Sequence, residues 1–175
     1  TNNETSDIKF EVSKFPDGQQ QVKIINTFNH TIDNKLLNDI LIKKGVQIKS
    51  RLNNFKDLEL IICATKSLRE LGVKEIHLYT PYFLGSRSDR KFEEGSNNYL
   101  KDVICPIINS LNFESVTVLD PHSDVLEACL NNFNKIDNKD LVDFVIKRIT
   151  NPKWTQAQST LNFMNKELLS QFILI

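Results

Sequence analysis

The chain has no excess charge of either sign and no long apolar run, and both shortages exclude classes of protein. Its 22 basic and 22 acidic residues cancel, so no net field is available to hold a nucleic-acid backbone. No stretch reaches the roughly 18 apolar residues of a membrane span, and the polar residues 1–7 do not resemble a signal peptide. We therefore expect a soluble protein that binds neither nucleic acid nor a membrane.

Cysteine is also scarce, with only Cys63, Cys105 and Cys129 present. The three form no close pair and leave one over, and each lies in an apolar, helix-like context that suits a buried thiol. This pattern predicts a reducing compartment, so we expect a cytoplasmic protein. At 175 residues, 40% of them hydrophobic, the chain can form one globular domain with a core but not two comfortable ones.

Apolar periodicity predicts a hairpin followed by alternating strands and helices. Residues 8–14 and 20–26 alternate apolar with polar positions on either side of a Phe-Pro-Asp-Gly turn, which predicts a β-hairpin. Further strands are predicted at 46–50, 75–80 and 115–119. Helices are predicted at 33–44, at 54–71, at 97–111 with an interruption at Pro106, at 125–130 with Ser123 as cap, and at 138–149 with Asn138 as cap. Strands joined by helices form βαβ units, so we expect an α/β fold with a mainly parallel sheet.

The residues from Asn151 onward differ from the rest. They contain the only Trp and the only Met, a Gln/Ser/Asn-rich stretch and an apolar terminus at 172–175. A short terminal helix packed on the body and a poorly anchored segment both fit this composition. We expect one domain over 1–150 and an atypical tail over 151–175.

Polar side chains follow two of the predicted strands. A basic segment, 85–91, comes after the strand at 75–80, and Asp120-Pro121-His122 comes after the strand at 115–119. The carboxyl ends of parallel strands are where ligands bind, so the two segments predict one shared site. Arginine matches phosphate oxygens, and an oxygen-rich site holds magnesium, which indicates a phosphorylated ligand with a divalent metal. In an extended backbone Asp120 and His122 would point the same way.

Each of these features also has an ordinary structural interpretation. A basic loop is usually a solvated surface, Asp120 could cap the next helix together with Ser123, and a Pro-Asp-Gly turn can be only a turn. His77 alternates within a strand and fits a packed or surface position, and His30 has no evident partner.

Together the motifs resemble those of the ribose-phosphate pyrophosphokinases, or PRPP synthetases, specifically the N-terminal half of that family, over residues 8–149. The resemblance implies a phosphoribosyltransferase-like fold with an N-terminal β-hairpin, a homo-oligomer and a role in nucleotide biosynthesis. It also implies a Mg²⁺-dependent reaction in which the diphosphoryl group of ATP is transferred to the 1-hydroxyl of ribose 5-phosphate, giving PRPP and AMP.

Carried onto matching positions, the resemblance implies an ATP site and a metal site. Arg87 would hold phosphates, Asp89 would orient the neighbouring cations, and Asp120 and His122 would hold Mg²⁺. The remaining residues that the resemblance assigns to ATP are Ser88, Arg90 and Lys91 of the loop, and Phe15, Asp17 and Gln19 of the turn, which serves an adjoining subunit in the family.

The chain departs from the family pattern at two of these positions and at Pro121. Gln19 stands where Glu is usual, Ser88 where Gln is usual, and Pro121 where Leu is usual; the first two bear on base recognition. The acidic, Gly/Thr-rich loop of the family's second domain, which binds ribose 5-phosphate, does not occur in this sequence. Alternatives to a complete enzyme are therefore a non-catalytic assembly or regulatory relative, a half-enzyme with a partner chain that supplies the other domain, and a truncated or frameshifted reading frame.

Overall fold

An antiparallel hairpin is the first element that the structure describes. The structure is a computed structural model that describes residues 8–25, 45–122, 124–150 and 172–174. Strands β1 (Lys9–Lys14) and β2 (Gln20–Ile25) pair in the hairpin, as predicted. Its turn closes through Gly18, whose φ of 105° favours glycine and whose N–H donates to the Phe15 carbonyl at 2.9 Å.

A five-stranded parallel sheet follows, in the order β6-β5-β4-β3-β7. Its strands are β3 (Val46–Lys49), β4 (Ile76–Thr80), β5 (Ser115–Leu119), β6 (Phe133–Ile136) and β7 (Phe172–Leu174). The three central strands agree with the prediction because each has strictly alternating burial and a clear turn signal at its end. The predicted α/β fold with a parallel sheet and an N-terminal hairpin is confirmed.

Four α-helices connect or follow these strands in the described ranges. They are α1 (Phe55–Glu70), α2 (Cys105–Ser110), α3 (Val125–Cys129) and α4 (Asn138–Thr150). Helix α1 starts where it does because Asn54 forms a capping box: the Asn54 Oδ1 accepts from the Lys56 N–H at 2.8 Å, and the Asp57 carboxylate accepts from the Asn54 N–H at 3.2 Å. No helix among the residues described here combines the length and apolar character that crossing a membrane requires.

The predicted interruption at Pro106 is present as a change of helix type. A π-helical turn, Leu100–Ile104, leads directly into α2, and the Cys105 N–H donates to the Leu100 carbonyl five residues back. Pro106 has no N–H and cannot donate to the carbonyl of Asp102, so the ordinary helical ladder is broken at this point.

Two elements differ from the sequence predictions. Strand β6 was not predicted, because its two partly buried residues, Phe133 and Ile136, are three apart and do not alternate. Phe172–Leu174 form an edge strand on β3, so neither a helix nor a poorly anchored segment describes these three residues. The helix predicted at 33–44, the Ser123 cap and most of the tail lie outside the described residues.

The core lies between the sheet and its helices. Helix α1 buries one face through Leu58, Ile61, Ala64, Thr65 and Leu68, which recur at helical spacing. The inward positions of β3, β4 and β5 meet them, and Leu100, Ile104 and Ile108 of the π-helical turn and α2 are fully buried in the same cluster.

The hairpin docks on α1 through hydrogen bonds as well as apolar contact. Val22 is buried, and its carbonyl accepts from the Ser67 hydroxyl at 2.7 Å. The Gln20 N–H and side-chain amide donate to the two carboxylate oxygens of Glu59 at 3.0 and 2.9 Å. These bonds, the backbone one first, lower the pKa of Glu59 below its usual 4.5.

We predict that acid loosens this docking. Because the pKa of Glu59 is depressed in the folded protein, its contribution to stability is fully present above pH 4.5 and is lost as the pH falls through the lowered value. Hydrogen-exchange protection factors of the β2 amides should therefore fall in that acid range, and Glu59→Gln should remove this pH dependence. Glu70→Gln, an exposed acid on the same helix, is the matched control; an unchanged pH profile in Glu59→Gln would contradict the prediction.

Candidate functional site

A cavity of about 340 Å³ lies at the carboxyl ends of three neighbouring strands, β4, β5 and β6. Each strand is followed by a segment that contributes polar side chains. The lining residues are Pro81, Tyr82, Phe83, Ser86 and Arg87 after β4, Asp120, Pro121 and His122 after β5, Asn138 after β6, and the apolar Val118, Leu119 and Leu126. Ligand crevices of open parallel sheets lie at this end of the strands.

The segment after β4 is fixed to the body at its root. Phe83 is only 2% exposed, and the Tyr82 carbonyl accepts from the Leu52 N–H at 3.0 Å and from the Thr80 hydroxyl. Farther along the segment, the Ser88 carbonyl accepts from the Leu100 N–H at 3.1 Å. Arg87 therefore projects from a backbone that is anchored on both sides.

Gly85 makes the sharp path of this segment possible. Its φ is 79°, and a Cβ at this position would lie 2.9 Å from Cδ1 of Tyr99 and 3.7 Å from Cγ1 of Ile104. Both the left-handed backbone and the close approach of the Tyr99 ring therefore favour glycine.

Of the loop cations, only Arg87 lines the cavity. It is exposed, and within the described parts of the chain its guanidinium has no hydrogen bond or ion pair. Arg90 instead packs its guanidinium over the Phe92 ring, 5.4 Å from the centroid, and Lys91 is exposed outside the cavity. The structure gives Asp89 no ion pair with these cations; its carbonyl accepts from the Asn98 amide at 2.6 Å.

Asp120 and His122 line the same cavity as Arg87, but they do so by a different geometry from the one predicted. Asp120 is not extended: its φ is 47°, in the left-handed region that aspartate tolerates better than most residues. Its N–H donates to the Ile136 carbonyl at 2.8 Å, which extends the β5–β6 pairing by one bond. The chain turns at Asp120, and this turn, not strand alternation, leads His122 to the cavity.

The capping interpretation of Asp120 gains no support from the structure. The residue at the N-terminal cap of α3 is Asp124, whose side chain makes no capping bond. Among the residues described, the Asp120 carboxylate makes no hydrogen bond to α3 or to any other element. It remains exposed at the cavity.

The metal-binding side chains of the cavity are too few to hold a metal ion by themselves, but they suit one that binds together with its ligand. The described ranges contain no group of three or more His, Cys, Asp or Glu residues that could hold a metal ion. Asp120 and His122 offer one carboxylate and one imidazole in the cavity. Mg²⁺ is commonly held by one or two carboxylates with phosphates and water completing its shell, so two protein donors are sufficient for that kind of site.

The hairpin turn is not part of this cavity. Phe15, Asp17 and Gln19 are all exposed, and none of them lines it. The turn is well formed, since the Phe15 N–H donates to the Gln19 carbonyl at 2.8 Å.

Sequence reasoning missed two polar contributors to the cavity, Ser86 and Asn138. Asn138 was expected only to cap a helix, and without β6 in the prediction nothing indicated that this helix begins beside the cavity. His77, by contrast, lies where a structural residue was expected: its Nδ1 is 2.8 Å from the Ser115 hydroxyl on the neighbouring strand. His30 is outside the described residues.

Comparison with known proteins finds a similar sequence and a similar fold. No family model matches the chain. A ribose-phosphate pyrophosphokinase of Saccharolobus solfataricus is 25% identical over 115 residues, which are 66% of this chain and 35% of that protein. The crystal structure of phosphoribosylpyrophosphate synthetase from Mycobacterium smegmatis superposes with a TM-score of 0.63 at 11% identity, covering 96% of this chain and 56% of that one.

The resemblance drawn from local motifs is thus confirmed for sequence similarity and for the fold. The chain spans about a third of the length of the curated relative and rather more than half of the solved one. The roles of individual residues stay predictions.

We predict that Gly85→Ala destabilises the protein more than Gly95→Ala. Both glycines have positive φ, 79° and 80°, so both substitutions carry backbone strain of about 1 kcal/mol. Only at Gly85 does the new methyl group meet a ring, whereas nothing lies within 4 Å of a Cβ at Gly95. Chemical denaturation should show an additional loss of about 1 kcal/mol or more for Gly85→Ala, and equal losses would show that the Tyr99 contact does not constrain this loop.

Proposed function

We propose that this chain, a relative of the ribose-phosphate pyrophosphokinases in sequence and fold, provides the nucleotide- and magnesium-facing part of such an enzyme. The observation that carries the proposal is the shared cavity: Arg87, which has no protein partner in the described residues, and the Asp120–His122 pair line one crevice although they lie more than thirty residues apart in the sequence. A cation with no partner opposite a carboxylate and an imidazole suits an anionic ligand that carries a metal ion.

The proposed diphosphoryl transfer requires that the substrates are positioned and that the charge of the phosphates is neutralised. In a diphosphoryl transfer the phosphoryl oxygens carry negative charge that must be held while the acceptor hydroxyl lines up. Arg87 would donate to those oxygens from its anchored loop. Asp120 and His122 would hold Mg²⁺, which when bound neutralises charge on the same phosphates. Arg90 and Lys91, outside the cavity, would add only local positive potential.

Base recognition would come from the hairpin turn of a neighbouring copy. Phe15 offers an exposed aromatic face, and Asp17 and Gln19 offer hydrogen-bonding groups, while Ser88 and Asp89 lie on the loop that carries Arg87. Since the turn does not line the cavity of its own chain, this part of the proposal requires a homo-oligomer.

The acceptor side of the reaction would need residues from outside this sequence. The 175 residues contain no acidic, Gly/Thr-rich loop for ribose 5-phosphate, so transfer requires a segment or partner chain that supplies one. A second candidate function is nucleotide binding without catalysis, for assembly or regulation; Gln19 and Ser88, which depart from the family pattern, favour it. AMP release from ATP and ribose 5-phosphate, assayed together with a partner chain that supplies the acceptor loop, distinguishes the two, and ATP binding without turnover in that mixture would support the second.

We predict that Arg87→Ala weakens Mg·ATP binding by about tenfold, since a hydrogen bond from a charged group contributes about 1.5 kcal/mol or more. The unfolding temperature should hardly change, because the Arg87 side chain is exposed and makes no hydrogen bond or ion pair with the residues that the structure describes. Isothermal titration calorimetry with Mg·ATP measures the effect. Lys101→Ala, which removes one positive charge from an exposed residue outside the cavity, is the control, and equal affinities for the two variants would count against the loop assignment.

We predict that Asp120→Asn makes ATP binding less dependent on Mg²⁺. Asparagine tolerates the left-handed backbone as well as aspartate does, so the change removes the charge without straining the turn. ATP affinity should be measured across a magnesium titration, with Asp124→Asn, an exposed acid outside the cavity, as the matched control. An undiminished magnesium requirement in Asp120→Asn would remove this carboxylate from the metal site.

A further inference from the structure

A buried hydroxyl lies next to Arg87 in the cavity. Ser86 is only 8% exposed and lines the cavity. Its N–H donates to the Phe83 carbonyl at 3.3 Å, but its hydroxyl has no hydrogen-bond partner within the ranges that the structure describes. Buried polar groups are nearly always paired, so one that lines a cavity without a partner indicates a ligand.

Other hydroxyls of the chain show how such groups are usually satisfied here. Ser67 and Ser110 donate to backbone carbonyls at 2.7 and 2.6 Å. Ser50, just after β3, is also buried and has no side-chain hydrogen bond to the described residues, but it does not line this cavity. The Ser86 hydroxyl differs from these three because Ser86 is buried, its hydroxyl has no hydrogen-bond partner among the described residues, and it lines the cavity.

A helix N-terminus meets the same cavity from the other side. Helix α4 is 13 residues long and begins at Asn138, which lines the cavity. The first N–H groups of a helix have no partner within it, and the helix dipole places partial positive charge there. Phosphates bind at such ends when they can reach them.

The charges around this end of the cavity are mixed. Arg87 is positive, Asp120 is negative, and Asp137 just before α4 pairs with Lys135 at 3.5 Å. Hydroxyl and backbone N–H groups can donate hydrogen bonds to phosphoryl oxygens without changing the net charge of the cavity. Ser86 provides such a hydroxyl, and the start of α4 provides such N–H groups.

We propose that the Ser86 hydroxyl and the N-terminus of α4 bind the phosphoryl oxygens of the ligand, together with Arg87. This inference rests on the proposed function and deepens it, since it adds two neutral groups to the phosphate contacts proposed there for Arg87. The ligand class is a linear polyphosphate, free or as part of a nucleotide.

The test uses inorganic tripolyphosphate and ATP, each with Mg²⁺, in titration calorimetry. Ser86→Ala should weaken both ligands by at least about tenfold, as expected for a hydrogen bond to a charged group. Its unfolding temperature should stay the same or rise, because the substitution removes a buried polar group without a partner. Ser110→Ala, which removes a hydroxyl outside the cavity, is the matched control.

A second variant tests the helix end separately. Asn138→Asp should weaken tripolyphosphate binding by repulsion, while the unfolding temperature does not fall, because an acid at a helix N-terminus is favourable. Wild-type affinity in both variants, or a lowered unfolding temperature in Ser86→Ala, would overturn this inference and leave the proposed function standing. If the unmodified protein binds neither ligand, the proposed function fails and this inference fails with it.

Discussion

Parallel pairing of β4, β5 and β6 is the constraint on which the candidate site depends. Because the three strands run the same way, their carboxyl ends lie side by side, and the segments that follow them must share one edge of the sheet. Backbone hydrogen bonds between the strands thereby bring together Arg87, Asp120 and the start of α4 at Asn138. Contacts among the polar side chains themselves contribute little to the assembly, since most of them have no hydrogen bond or ion pair with any residue in the described ranges.

At the carboxyl ends of these strands the backbone is held by hydrogen bonds and packing, whereas the side chains of the candidate site are exposed. Arg87 is held in place by a buried phenylalanine, by a carbonyl bonded to Leu52 and by a glycine packed against Tyr99. Asp120 takes a left-handed conformation and is tied to β6 through its N–H. Both side chains are thus presented to solvent from fixed positions, which reduces the entropy lost when a ligand binds.

How far the sequence could predict this arrangement depended on the strength of each local signal. Strands β4 and β5 both alternate regularly and both are followed by polar residues, so the shared position of Arg87, Asp120 and His122 could be predicted from them. The turn at Asp120 could not be predicted, since Asp-Pro-His is also compatible with an extended chain. Strand β6 has only Phe133 and Ile136 as apolar positions, so its pairing is fixed by the neighbouring strand rather than by its own pattern. Without it, Asn138 could not be placed at the cavity.

The hairpin is held to α1, and its turn does not line the cavity. Glu59 and Ser67 of α1 hold β2 through three side-chain bonds, and Val22 is buried against the same helix, so the hairpin is a docked part of the body. Its turn, with Phe15 exposed, does not line the cavity. An exposed aromatic residue on a rigid turn is suited to an intermolecular contact. If base recognition uses Phe15, assembly is a condition for binding the nucleotide rather than a consequence of it.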